Sequence, residues 1–328
     1  MGYRMDTICG LFHHQALRYD LAFPFLTGRF DRDGRPIEQF TSRTWRETRE
    51  EILALAGGLI ALGVKRGDRV VIFSESRPRW IIADQAVQAC GAIGVPLYPT
   101  VSEDELAYMI EDSEARVVIV STPDKARMVI KTTADKEPPI IILMSPWEGE
   151  KPSGMYTFPE VMALGKQKVT RDTVEEEIQR VIPNDIASII YTSGTTGRPK
   201  GVVLTQANWV ANMHQCAGSE LMQRERQAEL HLKALVHLPL CHVYGRTSDY
   251  HVTGLHLGGE LVFAESYQSV PRDLREVRPQ VITSIPRFFE KTYEIVQSSM
   301  SRAKRPTQLI FRWAMDKGHF FAESLATG

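Results

Sequence analysis

The sequence predicts an α/β fold of layered, mostly parallel sheets flanked by helices. Two observations carry that expectation. Short runs such as "RVVIF", "RVVIV" and "PPIIIL" contain hardly any polar residue, and they alternate with longer segments of helical periodicity along most of the chain. A strand that is apolar on both faces has to be covered on both faces, and helices that link parallel strands supply that cover.

The elements follow in order. "RTWRETREEILALAGGLIALGV" has helical periodicity, with Thr44 and Glu47 at the spacing of a capping box. "GDRVVIFS" is a buried strand after a Gly-Asp turn, "RWIIADQAVQACGAIG" a helix closed by glycine, and "VPLYPT" the next strand. Ser102 and Glu105 form a second capping box at the head of "EDELAYMIEDSEA", which leads into the strands "RVVIVS" and "PPIIILMS". Residues 145–185 are more polar and include Pro-Ser-Gly, so they mark the expected boundary between a first subdomain, 1–180, and a second, 181–328. Beyond it the alternation resumes with strands at "ASIIYTS", "GVVLT", "ALVHLPL", "GELVFAES" and "VITSIP". Helices are expected at "NWVANMHQCAGSEL", "DLREVRPQ", "RFFEKTYEIVQSSMS" and "LIFRWAMDKGHFFAESLA".

Bulk properties narrow the function classes. At 328 residues, with 43% hydrophobic and 24% charged residues and a net charge of −1, the chain reads as a globular protein with a large core. Nothing points to a nucleic-acid binder or a polybasic membrane surface. Cys9, Cys90, Cys216 and Cys241 are far apart and form no CxxC pair, which suits reduced thiols and a cytoplasmic protein. Peripheral membrane association stays open, and no specific protein partner is evident. Six histidines (His214, His231, His237, His242, His251 and His256) fall within 43 residues. Their spacing is irregular, so no metal site is expected from them.

The most specific stretch is Tyr191-Thr192-Ser193-Gly194-Thr195-Thr196-Gly197-Arg198-Pro199-Lys200-Gly201, between two strands. Glycines allow backbone N–H groups to turn toward one concavity, hydroxyls add short donors, and Lys200 adds a full positive charge. That set suits a polyphosphate. It is not a P-loop, because Pro199 precedes Lys200 and Gly201 follows it; nor is there a GxGxxG fingerprint or a GxSxG elbow.

This stretch resembles the phosphate-binding signature of the acyl-adenylate-forming (AMP-binding) superfamily. "QACGAIGVPLYPTVSEDELAYMIEDSEARVVIVS", "HLPLCHVYGR" and "ITSIPRFFEKTY" resemble further blocks in the same order, the last one as in long-chain fatty acyl-CoA synthetases. The resemblance runs from about residue 35 to residue 300. It implies the fold of the large N-terminal domain of these enzymes and the ATP-dependent activation of a medium- to long-chain fatty acid to acyl-AMP, then acyl-CoA. ATP, Mg²⁺ and coenzyme A would take part. Thr192, Ser193, Gly194, Thr195, Thr196, Gly197 and Lys200 would hold the β- and γ-phosphates. His242 would lie by the acyl and adenylate sites in a catalytic role, with a hydrogen-bonded core histidine as the alternative. Arg246 stands where relatives gate an acyl tunnel, and Pro286 and Arg287 match a block on the substrate side.

Three family features are not found in the sequence: the "YGxTE" motif, the "TGD" aspartate and the lysine of a small C-terminal lid domain. The expectation is therefore the N-terminal part of such an enzyme, incomplete on its C-terminal side and inactive by itself. Two alternatives remain: an adenylation domain that loads a carrier protein, and a non-catalytic nucleotide-binding remnant.

Overall fold

The computed structural model describes residues 2–19, 23–135, 137–192, 197–218 and 232–327, without the side chains of 319–327. The chain divides into two compact units, Met1–Thr283 and Ser284–Gly328.

The first unit is built on a seven-stranded sheet. Its strands are β3 (Arg69–Phe73), β4 (Ile93–Leu97), β5 (Ala115–Val120), β6 (Ile140–Leu143), β7 (Met155–Thr157), β8 (Ile186–Thr192) and β9 (Lys200–Thr205), in the order β7-β6-β5-β3-β4-β8-β9. All neighbours are parallel except β8 and β9, which form an antiparallel hairpin. Alternation along a strand divides the core between the two faces. Val70 and Ile72 join one apolar cluster, whereas Val71 and Phe73 join the other.

Helices α2 (Trp45–Ala61), α3 (Pro78–Ala89), α4 (Glu103–Asp112) and α5 (Pro123–Thr132) flank the sheet. Both expected capping boxes form. Thr44 Oγ1 accepts from the Glu47 amide at 3.2 Å while the Glu47 carboxylate accepts from the Thr44 amide at 2.9 Å, and Ser102 and Glu105 repeat the exchange. β4 lies two residues earlier than its expected place, because Ile93 to Leu97 pair in register with Arg69 to Phe73.

Ahead of α2 lie three elements that the apolar pattern does not mark: α1 (Ile8–Arg18), β1 (Pro24–Phe30) and β2 (Pro36–Thr44). β1 and β2 pair antiparallel and complete a four-stranded sheet, β10-β11-β1-β2, with β10 (Lys233–Val236) and β11 (Glu260–Phe263). Phe25 stacks on Trp45 with ring centroids 3.8 Å apart, which ties this sheet to α2.

Residues 145–185 are folded into β7, α6 (Phe158–Lys168) and α7 (Arg171–Arg180), and each sheet draws strands from both sides of residue 180. α6 lies so close on α2 that a Cβ at Gly165 would sit 2.1 Å from the Ala54 carbonyl oxygen. The segment is polar because its outer surface faces water, while Phe158, Val161, Val174 and Ile178 are buried.

α8 (Gln206–Ala217) follows the hairpin, a π-helix spans Arg246–His256, and α9 (Val270–Val277) precedes the expected strand "VITSIP". That strand reduces to one bridge, Val281 to Ala234. Pro286 lacks an amide donor and opens the next helix, so the ladder does not extend. The second unit consists of α10 (Pro286–Ser301) and α11 (Arg305–Thr327), joined where Gln308 donates to the Ser301 and Ala303 carbonyls. Among the described residues no helix is long and apolar enough to cross a membrane.

Candidate active site

The hairpin β8–β9 presents the signature stretch. Thr192 and Lys200 are its last paired residues, and both are exposed, as is Gly197 at φ +138°. Ser193, Gly194, Thr195 and Thr196 lie outside the described residues. Lys200 makes no ion pair among the described residues. Beneath the loop Tyr191 is buried, and its hydroxyl donates to Asp112 Oδ2 at 2.6 Å.

β8 runs parallel to β4 through Gly94 and Ser188, so Thr192 leaves the sheet at the same edge as Tyr98, the residue after β4. Tyr98 meets His242 edge-on, with ring centroids 6.2 Å apart. Ser76, past the end of β3, holds the "HLPLCHVYG" segment at that edge. Its hydroxyl donates to the Leu238 carbonyl at 3.0 Å and accepts from the Leu240 amide at 2.9 Å. Open parallel sheets gather ligands at the carboxyl ends of their strands, where helix N-termini and loops converge.

His242 is exposed and caps a single helical turn, Val243–Gly245. Its Nδ1 accepts from the Tyr244 amide at 3.2 Å, which leaves the proton of the neutral ring on Nε2. The ring is thus a surface donor, not a core histidine. Arg246, one turn further, is buried. Its guanidinium contacts Asp84 Oδ1 at 2.5 Å and Ser188 Oγ at 3.1 Å, and lies between the rings of Trp80 (5.4 Å) and Trp209 (4.8 Å). Tyr250 also donates to Asp84, at 3.2 Å. Burial pushes the Asp84 carboxyl up from its usual range, and the Arg246 charge opposes that shift.

Arg246 is therefore a tie between α3, β8 and the π-helix. The sequence reading missed Asp84, although a lone acid within the apolar helix "RWIIADQAVQA" signals a buried partner. The π-helix also buries Asp249, whose carboxyl is pushed up to about 7 by desolvation, against the Thr283 hydroxyl, which favours the ion. His251 is held well below the usual imidazole range by burial and by Arg246. Pro286 and Arg287 open α10 in the second unit, and both are exposed. Among the described residues no group of three His, Cys, Asp or Glu side chains could hold a metal ion; His231 lies outside them.

The profile of the AMP-binding enzyme family matches residues 22–315. This chain belongs to the AMP-binding enzyme family. Among similar proteins, a long-chain-fatty-acid–CoA ligase (FadD15) from Mycobacterium bovis is 35% identical over 80% of this chain and 42% of its own length. A long-chain-fatty-acid–[acyl-carrier-protein] ligase from Arabidopsis thaliana is 31% identical over 79% of this chain and 36% of its own. The chain thus spans less than half the length of these relatives. The crystal structure of a long-chain-fatty-acid-CoA ligase (FadD1) from Archaeoglobus fulgidus superposes with TM-score 0.71 at 21% identity, covering 91% of this chain and 55% of that one. The α/β architecture with mostly parallel, helix-flanked sheets is thus that of the N-terminal domain of adenylate-forming enzymes.

Proposed function

We propose that this AMP-binding chain carries the triphosphate-binding and acyl-side elements of an ATP-dependent ligase for medium- to long-chain fatty acids. The observation that carries the reading is the hairpin: exposed Thr192, Gly197 and Lys200, with Lys200 in no ion pair among the described residues, at the sheet edge that also presents Tyr98 and His242. A fatty carboxylate attacks the α-phosphorus, forming the acyl–phosphate bond as pyrophosphate leaves. The thiol of coenzyme A then attacks the acyl carbon, and AMP departs. The hairpin's part is to hold the β- and γ-phosphates and to stabilise the charge that grows on the leaving pyrophosphate. Ser193, Gly194, Thr195 and Thr196 belong to that cradle by their place in the signature. Mg²⁺ would enter with the nucleotide and offset the charge of its phosphates. His242 Nε2–H is a donor for the carboxylate or α-phosphate oxygens.

Incubation of the chain with MgATP tests the reading: a rise in melting temperature that saturates with nucleotide is expected, and no rise contradicts it. The resemblance to an acyl-carrier-protein ligase favours one second reading, with a carrier pantetheine as acceptor. Acyl-adenylate offered to coenzyme A and to a loaded carrier protein in parallel separates the two.

A further inference from the structure

α4 meets the phosphate hairpin at both of its stems. We propose that Tyr108 and Asp112, one turn apart at the C-terminal end of α4, form a clamp that holds the two stems of the β8–β9 hairpin, at Tyr191 and Pro199, in place. The proposal rests on the hairpin being the ATP site, and it assigns positioning residues that the signature does not contain.

On the incoming stem, Asp112 Oδ2 receives the Tyr191 hydroxyl at 2.6 Å. On the outgoing stem, the Tyr108 hydroxyl lies 3.2 Å from the Pro199 carbonyl oxygen and 3.2 Å from Asp112 Oδ1, so its single proton is shared between them. The Arg198 guanidinium covers the Tyr108 ring at 5.1 Å, and the two tyrosine rings meet edge-on at 6.4 Å. Residues immediately before Thr192 and immediately before Lys200 are thus tied to one carboxylate and one phenol.

Two features make this more than incidental packing. Asp112 ends its helix, where exposed carbonyls disfavour a negative charge. Its hydrogen-bond partners among the described residues are the two tyrosine hydroxyls, with no cation. Burial and the Asp112 charge push the Tyr191 hydroxyl well up, so it stays a donor at any physiological pH. Opposite Tyr191 in the ladder stands Gly201, where a Cβ would come 2.7 Å from Ile189 Cγ2 and 3.5 Å from the Tyr191 ring. A side chain at position 201 would therefore be crowded chiefly by Ile189, the neighbour of Tyr191 on the same strand face.

The test is hydrogen exchange of the 190–203 peptide, together with MgATP titration, for Tyr191→Phe, Asp112→Ala and Asp112→Asn. Tyr191→Phe keeps the ring and so the fold. Loss of one charge-assisted hydrogen bond should speed exchange in the hairpin by about tenfold, leave other peptides unchanged, and weaken MgATP by about five- to tenfold. Asp112→Asn keeps an accepting oxygen and should recover part of both effects. Unchanged hairpin exchange in Tyr191→Phe and Asp112→Ala overturns the clamp. So does faster exchange with undiminished MgATP affinity. Faster hairpin exchange in a protein whose parent form binds no MgATP leaves the clamp standing and overturns the nucleotide reading instead.

Discussion

The hairpin at Thr192–Lys200 and the junction at Arg246–Asp84 each use a basic residue, but in opposite ways. Lys200 is exposed and unpaired among the described residues, whereas Arg246 is 1% exposed and its Asp84 partner is fully buried. A charge kept in water on a loop contributes little to folding and is available to a ligand. A buried charge is tolerated only with its partner in place, so its loss is felt by the whole unit. The contrast separates a charge left open to solvent from a charge that ties α3, β8 and the π-helix together. Both kinds lie within blocks that resemble one family.

Substitutions at four places bear on that contrast, from the largest expected effect to the smallest. Arg246→Ala leaves Asp84 buried and uncompensated, and should destabilise the chain by about 3–5 kcal/mol in urea unfolding. The double change Arg246→Met with Asp84→Leu should recover most of it, because no charge is then buried. If Arg246→Ala proved as stable as the parent, the tie would be wrong and a gating role would gain ground.

Asp249 adds a pH dependence. Folded, its carboxyl titrates at about 7; unfolded, an aspartate titrates near 4. Between those values the folded chain binds the extra proton, so stability falls as pH rises from about 4 to about 7 and is flat above. Asp249→Asn should therefore stabilise the protein at pH 8, by on the order of 2–4 kcal/mol, and the gain should vanish near pH 4. A gain of equal size at both pH values would show that the carboxyl is not held protonated.

On the hairpin the effect falls on binding. Lys200→Ala removes a charge-assisted contact worth about 1.5–3 kcal/mol, hence a loss in MgATP affinity of roughly 10- to 150-fold. Folding stability should shift by less than about 0.5 kcal/mol. The smallest effect belongs to a helix cap on another element, at the start of α2. Thr44→Ala should cost about 1 kcal/mol of stability with MgATP affinity unchanged, which calibrates how far a purely structural lesion spreads.

Local signals were legible in the sequence. The capping boxes at Thr44 and Ser102, the buried strands at 69–73 and 115–120 and the hairpin at 186–205 each depend on residues close together in the chain. Strand β2 escaped because only one residue of "PIEQFTSRT" is buried and the strand so lacks an apolar run. The polar segment 145–185 looked like a boundary because composition does not reveal which residues face α2. Site residues divided the same way. The signature singles out Lys200 and Thr192 as candidates from adjacent residues, while the partner of Arg246 lies 162 positions away and the Tyr191 partner 79. Pairings of that span become visible only once the sheet order brings α3 and α4 beside β8.

The central claim is that the hairpin receives the triphosphate of ATP, and isothermal titration of MgATP into the parent chain and Lys200→Ala tests it most directly. Saturable binding by the parent, weakened at least about tenfold in a variant with the same melting temperature, is the predicted result. Equal affinity in the two proteins, or no binding by the parent, would contradict it.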